Sequence, residues 1–157
     1  PEKITRLIVA DIGPKYYRPD HQDLLAGLNA VDLSLKPERS EVEEILKGYV
    51  DDLGTRQFLM KSLYWKEPGQ LAFRFNLEVI NKEVENIGEA LGEGAVFEKE
   101  TLFIKGGNSN YIKEEDMAGL KLHFPKAELE VIENAGHWLH AEKPKEFYQK
   151  TISFLKR

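Results

Sequence analysis

ETLFIKGGNSNYI, residues 100–112, decides what kind of fold this chain can have. Its apolar run, Leu102-Phe103-Ile104, follows Thr101 and ends at Lys105 and a Gly106-Gly107 pair. The run is too short for a helix and shows no apolar-polar alternation, so it reads as a strand buried on both faces, the kind found in parallel sheets. The same signature stands near the start, in RLIVADI (6–12), which Gly13 and Pro14 terminate. Downstream, EEDMAGLKLHFP (114–125) reads as a helix, AELEVIENAGH (127–137) as a third strand, and KPKEFYQKTISFLKR (143–157) as a closing helix. Strand, helix, strand and helix at this spacing predict parallel βαβ units and an α/β fold.

Between the first two strands the pattern is mainly helical. HQDLLAGLNAVDLS (21–34) predicts a short helix with Leu24, Leu25 and Leu28 on one side. PERSEVEEILKGYVDDLG (37–54) predicts a second, with Pro37 and acidic residues at its start and Gly54 as its stop. TRQFLMKSLYW (55–65) continues as a third, carrying Phe58, Leu59, Leu63 and Tyr64. GQLAFRFN (69–76) alternates and suits a short strand, and LEVINKEVENIGEAL (77–91) suits a further helix. The expected organisation is therefore a core strand (1–14), a helical insertion (15–95) and a βαβα tail (96–157).

The 157 residues suffice for one hydrophobic core. The composition is 41% hydrophobic and 31% charged, with a net charge of -5 and no basic stripe. That pattern argues against nucleic acid and against anionic membrane surfaces as partners. The absence of cysteine removes disulfides, thiolate metal sites and a cysteine nucleophile, and it fits a cytoplasmic location. No apolar run is long enough to span a bilayer. The N-terminal run reads as a strand rather than a signal peptide, and a chain opening on Pro1 suggests a processed or trimmed product.

In a parallel sheet, ligands sit beyond the carboxyl ends of the strands. Three loops leave such ends: Asp11-Ile12-Gly13-Pro14, Gly106 to Tyr111, and Asn134 to Trp138. Their polar candidates are Asp11, then Asn108 and Ser109, then His137. A histidine at one strand end and an aspartate at another have the chemistry of a Ser-His-acid triad, in which the carboxylate fixes the imidazole and the imidazole deprotonates a hydroxyl. The serines are Ser34, Ser40, Ser62, Ser109 and Ser153, and none lies in a G-x-S-x-G elbow. Glu78 and Asp116 read as first-turn helix acids. His140 reads as a structural hydrogen-bonder, and His21 and His123 lack partners at ligand spacing, so neither metal nor cofactor is expected.

LIVADIGP, RQFLMKSLYW, FRFNLEVI, TLFIKGGNSNYI, HFPKAELEVIENAGHWLHAEKP and FYQKTISFL together resemble the C-terminal half of small capped α/β-hydrolases. The branch is that of bacterial acyl esterases and thioesterases of the YbfF type and their mitochondrial abhydrolase relatives. GGNSNY and NAGHWLHAEKP carry most of the specificity. The resemblance implies an α/β-hydrolase C-terminal portion: the last parallel strands with flanking helices plus an inserted helical cap. It implies His137 as general base and Asp11 as the acid that orients it, since the loop after the penultimate strand offers only Asn108 and Ser109. The nucleophilic serine and oxyanion hole would belong to an N-terminal half of the same hydrolase, which becomes a partner, and the substrate would be an acyl ester or thioester. Phe58, Tyr64, Trp65, Phe73, Phe75 and Trp138 would line the acyl pocket. By itself such a chain would be inactive. A non-catalytic folding or interaction unit, with an open sheet edge that favours a homodimer, is the alternative.

Overall fold

The computed structural model describes residues 2–157. The chain divides into two compact units, one formed by the residues up to Tyr16 together with Ala90–Arg157, the other by Tyr17–Glu89.

The first unit is built on a three-stranded parallel sheet of order β1-β4-β5, from β1 (Arg6–Ala10), β4 (Glu100–Gly106) and β5 (Ala127–Ile132). Ile8 pairs with Leu102 and Ala10 with Ile104, while Phe103 pairs with Leu129 and Gly106 with Ile132. Alternation along β4 sends its apolar side chains to opposite faces. Leu102 and Ile104 join Ile132, Ala135, Leu139 and Phe154 beneath α6 (Leu139–Glu142) and α7 (Pro144–Leu155). Phe103 joins Ile112, Leu120, Phe124 and Ala127 on the side of α5 (Met117–His123). Helices on both faces explain why β4 lacks polar alternation. Each buried Leu, Ile or Phe contributes roughly 1.5–3 kcal/mol, so the central strand anchors the unit.

β1 departs from the expectation of burial on both faces. Its residues are only half-buried and Ala10 is exposed, because β1 is an edge of the sheet. The third strand also stops earlier than expected. It ends at Ile132, and Asn134 then turns the chain with a φ of 55°.

The second unit holds α1 (Gln22–Ala30), α2 (Arg39–Lys47), α3 (Leu53–Lys61), an antiparallel pair β2 (Leu63–Glu67) and β3 (Gln70–Phe73), and α4 (Leu77–Ile87). Its core gathers Leu28, Val42, Leu46, Leu59, Leu63 and Leu71. Two sequence expectations are corrected here. The helix over 55–65 ends at Lys61, and Leu63, Tyr64 and Trp65 pair in a hairpin with Phe73, Ala72 and Leu71. Gly69 makes the hairpin turn possible with a φ of 76°, a conformation glycine adopts freely. Gly54 is not a stop either. α2 ends at Lys47 with Gly48 as its cap, and Gly54 lies in the first turn of α3, which Asp52 caps by accepting from the Thr55 N–H at 2.6 Å. Among the described residues no helix is long and apolar enough to cross a membrane.

The segment leaving β1 is fastened by Lys15, whose ammonium pairs with Asp116 in the 3-10 turn (Glu114–Asp116) that precedes α5. The same carboxylate accepts from the Lys113 N–H at 2.8 Å. Burial raises the Asp116 pKa, but the Lys15 hydrogen bond, the Lys113 N–H and both ammonium charges lower it by more, leaving it below the ordinary aspartate value. A depressed pKa stabilises the fold above the unfolded-state value, and that contribution is lost as pH falls through the folded-state value. Asp116→Asn should therefore destabilise the chain by about 1 kcal/mol at neutral pH. The difference from wild type should vanish in acid below the ordinary aspartate range, as read by urea unfolding at several pH values.

Candidate active site

Asp11 occupies the first position after β1 with a φ of 49°, a left-handed conformation that Asp tolerates better than most residues. Its N–H still donates to the Ile104 carbonyl at 2.8 Å, so the sheet ladder continues through the turn while the side chain swings across the strand ends. The residue is fully buried. Its carboxylate is satisfied from three directions. The Gly106 N–H donates to Oδ1 at 3.0 Å, the Ser109 hydroxyl donates to Oδ2, and His137 Nδ1 lies 2.9 Å from Oδ2. A buried carboxylate needs such donors, since a naked charge at this depth would be prohibitive.

His137 follows β5 by a short loop whose path is fixed at several points. The Gly107 N–H donates to the Ile132 carbonyl at 2.9 Å, and the Asn108 N–H to the Ala135 carbonyl at 2.9 Å. The Gly136 N–H donates to Glu142 Oε2 at 2.9 Å. The loops after β4 and β5 are thus stitched together by backbone. Their approach is so close that a Cβ on Gly106 would sit 2.2 Å from the Gly136 carbonyl oxygen, which leaves room only for glycine. The imidazole also stacks on Tyr111, with ring centroids 4.0 Å apart and planes inclined by 17°.

The arrangement has a defined chemical polarity. A carboxylate already accepting from Gly106 and Ser109 accepts again from His137, which puts a proton on Nδ1; when the ring carries no second proton, Nε2 presents its lone pair. The His137 side chain is 44% exposed against 0% for Asp11. The acid is sealed and the base is reachable, an arrangement able to take a proton from a hydroxyl brought to Nε2.

The structure brings Asp11 and His137 together although 126 positions separate them. Trp138 follows His137, is 38% exposed, and starts α6 by accepting at its carbonyl from Ala141 and Glu142. His140 lies between aromatic rings, 6.4 Å from Trp138 and 6.2 Å from Phe147. The other five aromatic candidates belong to the Tyr17–Glu89 unit. Phe58 on α3 and Trp65 on β2 are more than half exposed, Tyr64 lies under the Arg74 guanidinium at 5.1 Å, and Phe73 and Phe75 stack at 5.0 Å against that unit's core. Glu78 sits in the first turn of α4, as expected. The sequence marks Ser109 as a polar strand-end candidate, outside a nucleophile elbow and unfit to serve as the acid. Its role as a donor to Asp11, the stacking of Tyr111 and the Glu142 tether were missed. These contacts depend on the path of short loops, for which the sequence carries no local signal.

No protein-family model matches the chain. It is 35% identical to esterase YbfF of Escherichia coli over 144 residues, covering 91% of this chain and 54% of that protein. It is 30% identical over 161 residues to the sn-1-specific diacylglycerol lipase ABHD11 of Mus musculus, covering 99% of this chain and 52% of that one. A marine microorganism esterase of known structure superposes with a TM-score of 0.91 at 39% identity, over 98% of this chain and 62% of its own. The chain is related to these esterases over nearly its whole length, and its fold is the C-terminal part of an α/β-hydrolase. It spans about half the length of the curated relatives it matches.

Gly106→Ala should force the two loops apart. The expected cost is about 1–3 kcal/mol of stability, measured by chemical unfolding, with loss of the His137–Asp11 contact in the variant's crystal structure.

Proposed function

We propose that this chain carries the acid and the base of a serine hydrolase that cleaves short to medium acyl esters or thioesters through an acyl-enzyme. The observation that carries the proposal is the hydrogen bond from exposed His137 to fully buried Asp11 at the ends of two parallel strands. In this reading, His137 Nε2 takes the proton of a serine hydroxyl as its oxygen attacks the acyl carbonyl, and returns that proton to the departing alcohol or thiol. Water then repeats the cycle on the acyl-enzyme, with Asp11 stabilising the imidazolium each time. The serine and the oxyanion-hole donors are assigned to an N-terminal hydrolase half, because no G-x-S-x-G elbow occurs in these residues. The free edge of β1 is where the strands of that half would add. The Tyr17–Glu89 unit is assigned the part of cap, with Phe58, Tyr64, Trp65, Phe73 and Phe75, together with Trp138, as apolar contacts for the acyl chain.

The test is p-nitrophenyl butyrate hydrolysis and fluorophosphonate labelling of the polypeptide as it occurs in its cell. Wild type should turn over and take the label. His137→Ala should lower kcat by roughly two to four orders of magnitude, and Asp11→Asn by a comparable factor. A folded wild-type protein that neither turns over nor takes the label would refute the proposal, as would His137→Ala with unchanged turnover. Either result would leave a non-catalytic folded unit as the reading.

A further inference from the structure

We infer that Tyr111 is a positioning residue for His137, its ring acting as a wall that fixes the plane of the imidazole. This rests on the base role proposed above. Asp11 holds His137 at one ring atom only, Nδ1, and a single hydrogen bond leaves the ring free to pivot about the Nδ1···Oδ2 line through coupled turns of its two side-chain torsions. With the side chain 44% exposed, solvent would otherwise offer space for that pivot. Tyr111 removes it on one side. At a centroid distance of 4.0 Å and an inclination of 17°, turning the imidazole out of plane drives its edge into the phenol face. Ring plane and hydrogen-bonded edge together determine where Nε2 points.

Tyr111 is itself well held. Its N–H donates to Ser109 Oγ at 3.2 Å, and the Ser109 hydroxyl donates onward to Asp11. On its other side Ile112 is fully buried in the core beneath α5. One short segment after β4 therefore grips the acid through Ser109 and the base through Tyr111, so any drift of the segment would move both together. The role is assigned to the aromatic face, which is the part of Tyr111 that stacks on the imidazole.

The experiment reads the His137 ring directly, by long-range nitrogen–proton spectra of the labelled chain at about pH 8.5, where an ordinary imidazole is neutral. Wild type and Tyr111→Phe should both give one sharp set of His137 signals, protonated at Nδ1, with ring protons shifted by the stacked aromatic. Tyr111→Leu should give broadened or averaged signals from both tautomers. Tyr111→Met serves the same purpose if the leucine variant does not fold. In the active polypeptide, Tyr111→Leu should lower kcat on the order of tenfold or more with KM unchanged, and Tyr111→Phe should restore it. A leucine or methionine variant that keeps the sharp Nδ1 tautomer overturns the inference, as does a phenylalanine variant that loses it. If the spectra behave as expected while the folded wild-type polypeptide as it occurs in its cell shows no hydrolysis, the positioning role stands and the hydrolase proposal falls.

Discussion

The buried carboxylate of Asp11 is the constraint on which the site depends. An aspartate removed from water costs several kcal/mol unless donors replace the lost hydration. Here they come from the last residue of β4, from the loop beyond it and from the loop beyond β5. No single element can supply all three, so burying this one group draws three separate chain segments to a common point. His137 stands where it does partly because Asp11 needs it there.

The sheet makes that convergence possible. Parallel strands end on the same side, so the residues following β1, β4 and β5 emerge as neighbours however far apart they lie in sequence. The central position of β4 matters most. Its two faces are sealed by different helices, which keeps Gly106 in place as the close-contact point for both flanking loops. The left-handed backbone at Asp11 belongs to the same scheme, because it continues the ladder to Ile104 while turning the carboxylate inward. Strained backbone of this kind tends to mark working sites.

The parts that were legible in the sequence were those governed by local pattern. The run Leu102-Phe103-Ile104, the Gly-Gly stop and the βαβ spacing determined a parallel sheet, and the position of Asp11 and His137 at strand ends was enough to anticipate their meeting. What could not be read depended on the path of short loops. Nothing in the order Gly-Gly-Asn-Ser-Asn-Tyr says that Ser109 turns toward a residue 98 positions earlier, or that Tyr111 lies flat on an imidazole. The hairpin was misread for a different reason. Leu63, Tyr64 and Trp65 continue the apolar phase of Phe58 and Leu59, so helix and strand fitted the same letters. The Pro68-Gly69 turn settles the matter by pairing Trp65 with Leu71.

The inserted Tyr17–Glu89 unit leaves and returns through adjacent chain. Pro14 accepts at its carbonyl from the Leu91 N–H at 3.0 Å, and the Tyr17 N–H donates to the Gly88 carbonyl at 2.8 Å. The chain is thus clasped on each side of the boundary, once within each unit, and the seventy-odd intervening residues form a loop whose ends are tied together. A loop whose base is already closed can be shortened, extended or exchanged without pulling on the strands that hold Asp11 and His137. Change in the length or make-up of the intervening segment is therefore compatible with an unchanged pairing of Asp11 and His137.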